Sequence, residues 1–485
     1  MKSTPDDASP GSPEAPMDIG RESPYPRAVD EGAGKPRRRR GLLGRIPRGA
    51  LMLSAISVLN VALGFAREAI LAYYFGTSAE LDAFLIAYTL PRVIVLQAIQ
   101  ITVWVMLPLY VAHLEGGRRD EATALLRAWF VFLAKATTIF CLIVALIAPI
   151  ITYLIGPGLT ADQRHEAANW LRWLLPYVWV TTMSGCFKVV LDQNRRFFAP
   201  AMSSAFVSMA VIGACLVAAS DMGVAATIPG FLIGGSVGYL WQWYQSRAYE
   251  PTMTSFRNVP KHVKLPLASG VIMVINSFAL QANVIIDRAF ASYLPEGSIA
   301  ALNYANSLIM VFQNIIGMAL GTSLFPILSE MIARGEWRRA YRTTLGWTGV
   351  VVLFLLVPSL GMMIFRHDVV RLVFQRGAFG AQATEMTAHV LLVLSFMVMV
   401  FGANVLIMRL LLAQQQLRLI LWTTILMVVL KIIINALLVS RYQLLGVAIA
   451  TVAAGATTTA VRIWGGRRYA GGRTGTLTPD HPAVS

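Results

Sequence analysis

Twelve apolar stretches, each longer than 20 residues, run through this chain, and their length limits what it can fold into. A helix of about 20 apolar residues crosses roughly 30 Å of hydrocarbon, and a segment that spans a bilayer must satisfy its own backbone hydrogen bonds. The stretches lie at 50–75, 82–112, 125–156, 167–190, 198–219, 225–246, 266–294, 299–331, 343–365, 385–409, 417–439 and 443–464. Hydrophobic residues make up 56% of the 485 and charged ones only 14%, where a soluble domain carries about a quarter charged. The prediction is an all-α polytopic membrane protein of about twelve transmembrane helices.

The formal charge of +16 would suggest a polyanionic partner in a soluble chain. Here the basic residues gather in Lys35 to Arg40, at Arg45 and Arg48, in alternate connections and at the C-terminus. Only Arg164, Arg172, Arg366, Arg371, Arg376 and Arg441 fall on the opposite set. Both termini are therefore expected to be cytoplasmic, and nucleic acid is not an expected partner. The basic run before the first stretch looks like the start of a signal peptide, but the apolar run is too long and lacks an A-x-A site, so the helix is read as uncleaved. The expected organisation is a disordered basic tail at 1–48, an N-lobe at 49–247, a linker at 248–265, a C-lobe at 266–465 and a tail at 466–485. Between Arg366 and Glu385, apolar residues alternate with charges in the pattern of a short amphipathic helix on the outer leaflet or, in a second reading, of a substrate-contacting element.

The chain repeats itself. Pro108-Leu-Tyr-Val-Ala-His-Leu-Glu-Gly-Gly-Arg-Arg aligns with Pro326-Ile-Leu-Ser-Glu-Met-Ile-Ala-Arg-Gly-Glu-Trp at an offset of 218 residues. Each half opens with a helix that carries an adjacent acid and base, Arg67-Glu68 and Asp287-Arg288, followed by a helix ending in proline. Two six-helix halves related in this way are a transporter architecture, with the site expected between them near the midplane.

A charge at bilayer depth costs at least ~2.5 kcal/mol, so it faces a partner or a wet cavity. Arg67, Glu68, Arg92, Lys135, Asp287, Arg288 and Lys431 lie deep in the stretches, with Asp82 at the start of one. Ser57, Asn60, Gly64 and Arg67 share a helical stripe, as do Asn276, Asn283 and Asp287, and the eighth stretch adds Asn303, Asn306, Gln313 and Asn314. The surplus of bases suits an anionic head group such as a diphosphate, which arginine holds through paired hydrogen bonds. Arg67 and Arg288 are the expected contacts, with Glu68 and Asp287 orienting them or taking part in H+ or Na+ coupling. Asn60, Asn276, Asn283 and Asn306 would complete the cavity. Arg92, Lys135, Lys431 and Asp82 are secondary candidates, because a long base near a span end can snorkel. The competing reading is that Arg67-Glu68 and Asp287-Arg288 are ion pairs that only fix packing and that the asparagines join helices. The three cysteines show no disulfide or metal spacing. With no G-x-S-x-G, P-loop or metal-ligand pair, neither an enzyme nor a cofactor or metal is expected.

Gly64-Phe-Ala-Arg-Glu, Phe75-Gly76, Asp82-Ala-Phe, Leu90-Pro91, Asp287-Arg288, Gly297-Ser-Ile-Ala-Ala-Leu-Asn-Tyr-Ala-Asn306, Gly317-x-x-x-Gly-Thr-Ser-Leu-Phe-Pro326 and Arg376-Gly-Ala-Phe379 give the chain a family likeness. It resembles the MviN/MurJ-type lipid II flippases of the multidrug/oligosaccharidyl-lipid/polysaccharide exporter superfamily. The resemblance implies two lobes facing across a cationic cavity. It also implies alternating-access transfer, across the bacterial inner membrane, of an undecaprenyl-diphosphate-linked saccharide: lipid II, or an exopolysaccharide or O-unit lipid. Envelope polysaccharide synthesis proteins would be partners. The same likeness implies arginines where this chain has Val61 and Ser307, and two helices beyond the twelve. A cation-coupled multidrug exporter of the related branch and a non-transporting scaffold of the cell-wall machinery stay open as alternatives.

Overall fold

The computed structural model describes residues 48–250, 271–321 and 324–472. The expected basic tail, most of the 248–265 linker and the end of the C-terminal tail lie outside these residues. Among the described residues all regular structure is helical: α1 (Arg48–Phe75), α2 (Ala79–Glu115), α3 (Arg119–Ile155), α4 (Ala161–Gln193), α5 (Phe198–Met222), α6 (Thr227–Ser246), α7 (Val271–Ala291), α8 (Ser298–Gly321), α9 (Leu324–Ala333), α10 (Trp337–Ile364), α11 (Arg366–Phe374), α12 (Ala381–Leu394), α13 (Phe396–Ala413) and α14 (Leu417–Gly472).

Nine continuous segments of the described residues are long and apolar enough to cross a bilayer, and two of them turn back on themselves. α5 passes through one turn of 3-10 helix, Gly223–Ala226, into α6 and packs along it. Glu80 holds that turn, accepting the Val224 N–H at 2.9 Å. α14 leaves helical geometry at Gln443 (φ 48°, ψ −128°). Its second arm folds back on the first, so that Arg462 donates to Thr423 and Thr424 and a Cβ on Gly465 would lie 2.7 Å from Leu419. With these two reversals, and with α7 (21 residues, long enough to cross) added, the described residues hold twelve segments long enough to cross a bilayer. The chain is an all-α polytopic membrane protein.

Short polar signals set the turns. The Ser78 hydroxyl accepts the Leu81 N–H at the start of α2, and Thr160 and Gln163 form a reciprocal capping box at the start of α4. Arg462, near the end of the last apolar stretch, is buried between the arms of α14 and donates to Asn404 as well. Its neighbours are neutral oxygens, which satisfy the guanidinium without a carboxylate.

Helices α2 to α6 pack mainly on one another, as do α7 to α14, and the two groups meet where α2 and α3 touch α7 and α8. α1 ties into both. Asn60 donates to Ala201 O in α5, whereas Tyr304 in α8 donates to Gly76 O and Ala378 N–H to Tyr73 O. The amphipathic segment at α11 packs one edge on protein. Val370 and Phe374 are fully buried, and the Phe374 ring sits 5.9 Å from Phe65 of α1 and 5.1 Å from Tyr304. An amphipathic pattern states that one edge seeks an apolar surface. Here that surface is protein.

Candidate functional site

At one end of the bundle the two groups are locked together. The Asp82 carboxylate, near the start of α2, accepts the Gly297 N–H at 2.8 Å and the Ala300 N–H at 2.7 Å, and so caps the N-terminus of α8, where a negative charge is stabilised. Ser292 Oγ accepts the Gly158 N–H. Two glycines permit the close approach. Gly297 has φ +84°, and a Cβ there would lie 2.4 Å from Thr77 O; Gly76 has φ +54°, with Ala378 O at 2.5 Å. No side chain fits at either position.

Below this closure a cavity of about 730 Å³ opens between α1, α2, α7, α8, α13 and both arms of α14. Its wall on α1 ends at Glu68, and beyond it Leu71, Ala72 and Phe75 pass into packed core. Nine of the twelve residues expected at a site line this one space: Arg67, Glu68 and Asn60 on α1; Arg92 on α2; Asn283, Asp287 and Arg288 on α7; Asn306 on α8; and Lys431 on α14. Three do not. Asp82 lies in the closure, Asn276 accepts from Thr424 at 2.7 Å outside the cavity, and Lys135 is exposed on α3. Thr451, on the second arm of α14, and Gln281 also line the cavity. Gln281 flanks the polar stripe of the seventh stretch in the sequence, but Thr451 is not among the expected residues; a threonine on an apolar helix gives no periodic signal of its own.

The charged residues form two separate networks. Arg67 pairs with Glu68 at 2.9 Å and lies over the Phe231 ring of α6. Glu68 also accepts from Asn303 Nδ2 at 2.9 Å, and Asn303 Oδ1 faces Arg288 at 3.4 Å. Arg288, 5% exposed, donates to Leu85 O and Thr89 Oγ1 of α2. Asp287 turns the other way and pairs with Lys431 at 2.8 Å. The adjacent Asp287-Arg288 pair read from the sequence is therefore not formed: Lys431 and Thr451 take the carboxylate, and the Leu85 carbonyl and Thr89 hydroxyl of α2 take the guanidinium. One residue binds α7 to its own group and the next binds it to the other.

Four cations and two carboxylates line the cavity, a formal excess of two positive charges. Arg92 is half-buried and, among the described residues, has neither an ion pair nor a hydrogen bond to protein. It is the base best placed to meet an anion. Val61 and Ser307, where the family likeness implies arginine, both line the same space, so the cavity is less basic than the likeness implies.

Comparison with known proteins fits this geometry. The family profile described as "Lipid II flippase MurJ" matches residues 71–478. The lipid II flippase MurJ of Burkholderia cenocepacia is 26% identical over 355 residues, covering 71% of this chain and 69% of its own. A probable lipid II flippase MurJ of Buchnera aphidicola is 24% identical over 360 residues, covering 72% and 70%. Among solved structures, a lipid II flippase MurJ in an inward closed conformation superposes with a TM-score of 0.72 at 19% identity, covering 86% of this chain and 87% of that one. A MATE-family multidrug resistance transporter superposes at 0.71 in its inward-facing conformation (14% identity, 87% and 98% covered). An outward-facing MATE-family structure gives 0.63 (12%, 87% and 95%).

Proposed function

The chain belongs to the lipid II flippase MurJ family, and from that membership we propose that it moves lipid II, an undecaprenyl-diphosphate-linked saccharide, across the bacterial inner membrane for peptidoglycan synthesis. The observation that carries the reading is Arg92, which has no ion-pair or hydrogen-bond partner among the described residues, in a cavity with excess positive charge, closed at one end and shared by both groups of helices. A diphosphate entering the cavity would meet Arg92 first and draw on Arg67 by competing with Glu68, while Asn60, Asn306 and Asn303 offer amide hydrogen bonds to phosphate or sugar. Charge-assisted bonds of this kind are the strong ones.

Both termini are assigned to the cytoplasm, which makes the locked end the outer one and the conformation inward-facing. The halves 49–247 and 266–465 act as lobes in alternating access. Outward opening requires Asp82 to leave the α8 N-terminus and Arg288 to leave α2. Translocation involves no covalent step, and these contacts need only exchange one partner for another.

The test is flipping in proteoliposomes, with lipid II beside an undecaprenyl-diphosphate saccharide that lacks the peptide. Lipid II transport that falls in Arg92→Ala at unchanged protein level is the expected result. Transport of neither lipid, or an Arg92→Ala variant as active as the parent, would overturn the reading.

A further inference from the structure

The Asp287 carboxylate invites a coupling cation, because it is buried, lines the cavity and sits on the opening helix of the second half. Its surroundings are already filled. Lys431 Nζ lies 2.8 Å from Asp287 Oδ2 and 3.2 Å from the Asn283 carbonyl oxygen, and Thr451 Oγ1 donates to Asp287 Oδ1 at 3.2 Å. Lys431 is 2% exposed. Its ammonium is held by a carboxylate and a carbonyl oxygen, donors that hard cations prefer, with the Thr451 hydroxyl on the other oxygen of the same carboxylate. One helical turn along the same arm of α14, Asn435 is fully buried, and neither its amide oxygen nor its nitrogen has a hydrogen-bond partner among the described residues.

We propose that Lys431 is a tethered cation that holds, permanently and from within the chain, the place of a monovalent coupling ion at Asp287. The site therefore takes no free sodium in the parent protein, and removal of the ammonium uncovers a latent cation site formed by Asp287, the Asn283 carbonyl and Thr451, with Asn435 a turn away. The geometry explains why the lysine is placed there. It reaches from the first arm of α14 to α7 while Thr451 reaches from the second arm, so one charge fastens three helical segments without an ion that can leave. A free ion couples transport to a gradient only if it exchanges with water; a tethered one cannot exchange.

The experiment reads thermal unfolding of the purified full chain in detergent, with sodium chloride titrated against choline chloride at constant ionic strength. The parent should show no sodium-specific shift. Lys431→Ala should unfold at lower temperature and recover part of the loss with sodium but not with choline. The double variant Asp287→Asn/Lys431→Met, which removes both charges, should again ignore sodium. A sodium-specific rise in the parent that Asp287→Asn abolishes would overturn the proposal, as would a folded Lys431→Ala with no sodium response. If Lys431→Ala does not fold, the parent and the double variant still decide it, because a double variant no better folded than Lys431→Met alone means that charge pairing is not what fills the site. Unfolding is read without any lipid cargo, so failure here is distinguishable from failure of the flippase reading.

Discussion

At the scale of single residues, the cavity separates bases that hold the protein together from bases left to meet a ligand. Arg288 and Lys431 are committed to protein oxygens, Arg67 is half-committed to Glu68, and Arg92 has no protein partner among the described residues. A charge-assisted hydrogen bond contributes roughly 1.5–3 kcal/mol, so Arg92→Ala should weaken lipid II binding by roughly 10- to 100-fold, measurable by native mass spectrometry. Ser307→Arg should strengthen it, since position 307 lines the cavity and adds a base where the family likeness implies one. A weakened Ser307→Arg variant would mean that the lost arginine was replaced by a different contact. The sequence carried this inventory well, because deep charges in apolar stretches are few and conspicuous. It did not carry the pairing. Adjacent Asp287 and Arg288 look like a local ion pair on paper, just as Arg67 and Glu68 do, and only the partners brought by α14 and α2 separate them.

At the scale of elements, the number of crossings was legible because bilayer thickness sets a minimum length for each helix. The reversal at Gln443 follows from the two stretches on either side of it, even though the backbone runs helical almost to the turn. For α11 the periodicity reports that Val370 and Phe374 share an edge, and the structure shows that protein covers it. Their burial against α1 and α8 makes α11 a wedge at the locked end. Phe374→Ala should destabilise the fold by about 3–5 kcal/mol, the usual cost of emptying a buried aromatic site, and lower the unfolding temperature measured with an environment-sensitive dye. Leu372→Ala, at 72% exposure on the same helix, should leave that temperature nearly unchanged.

At the scale of the whole molecule, closure at one end depends on backbone contacts between the two groups that leave no room for side chains. Gly297→Ala adds a Cβ 2.4 Å from Thr77 O in a backbone conformation that alanine resists. It should shift the population toward the opened end. In a background without Cys141, Cys186 and Cys215, a cysteine at Ser292 should then react faster with a membrane-impermeant maleimide added from outside. Asp82→Ala should act in the same direction, because it removes a carboxylate cap worth about 1–2 kcal/mol to the α8 N-terminus. Unchanged labelling in both variants would place the barrier to opening elsewhere. The closure is also chemically one-sided. Asp82 comes from one group of helices and the Gly297 and Ala300 N–H groups from the other, so an acid on one side meets a bare helix end on the other. Two acids facing each other there would repel; an acid against a helix N-terminus makes the seam a clasp.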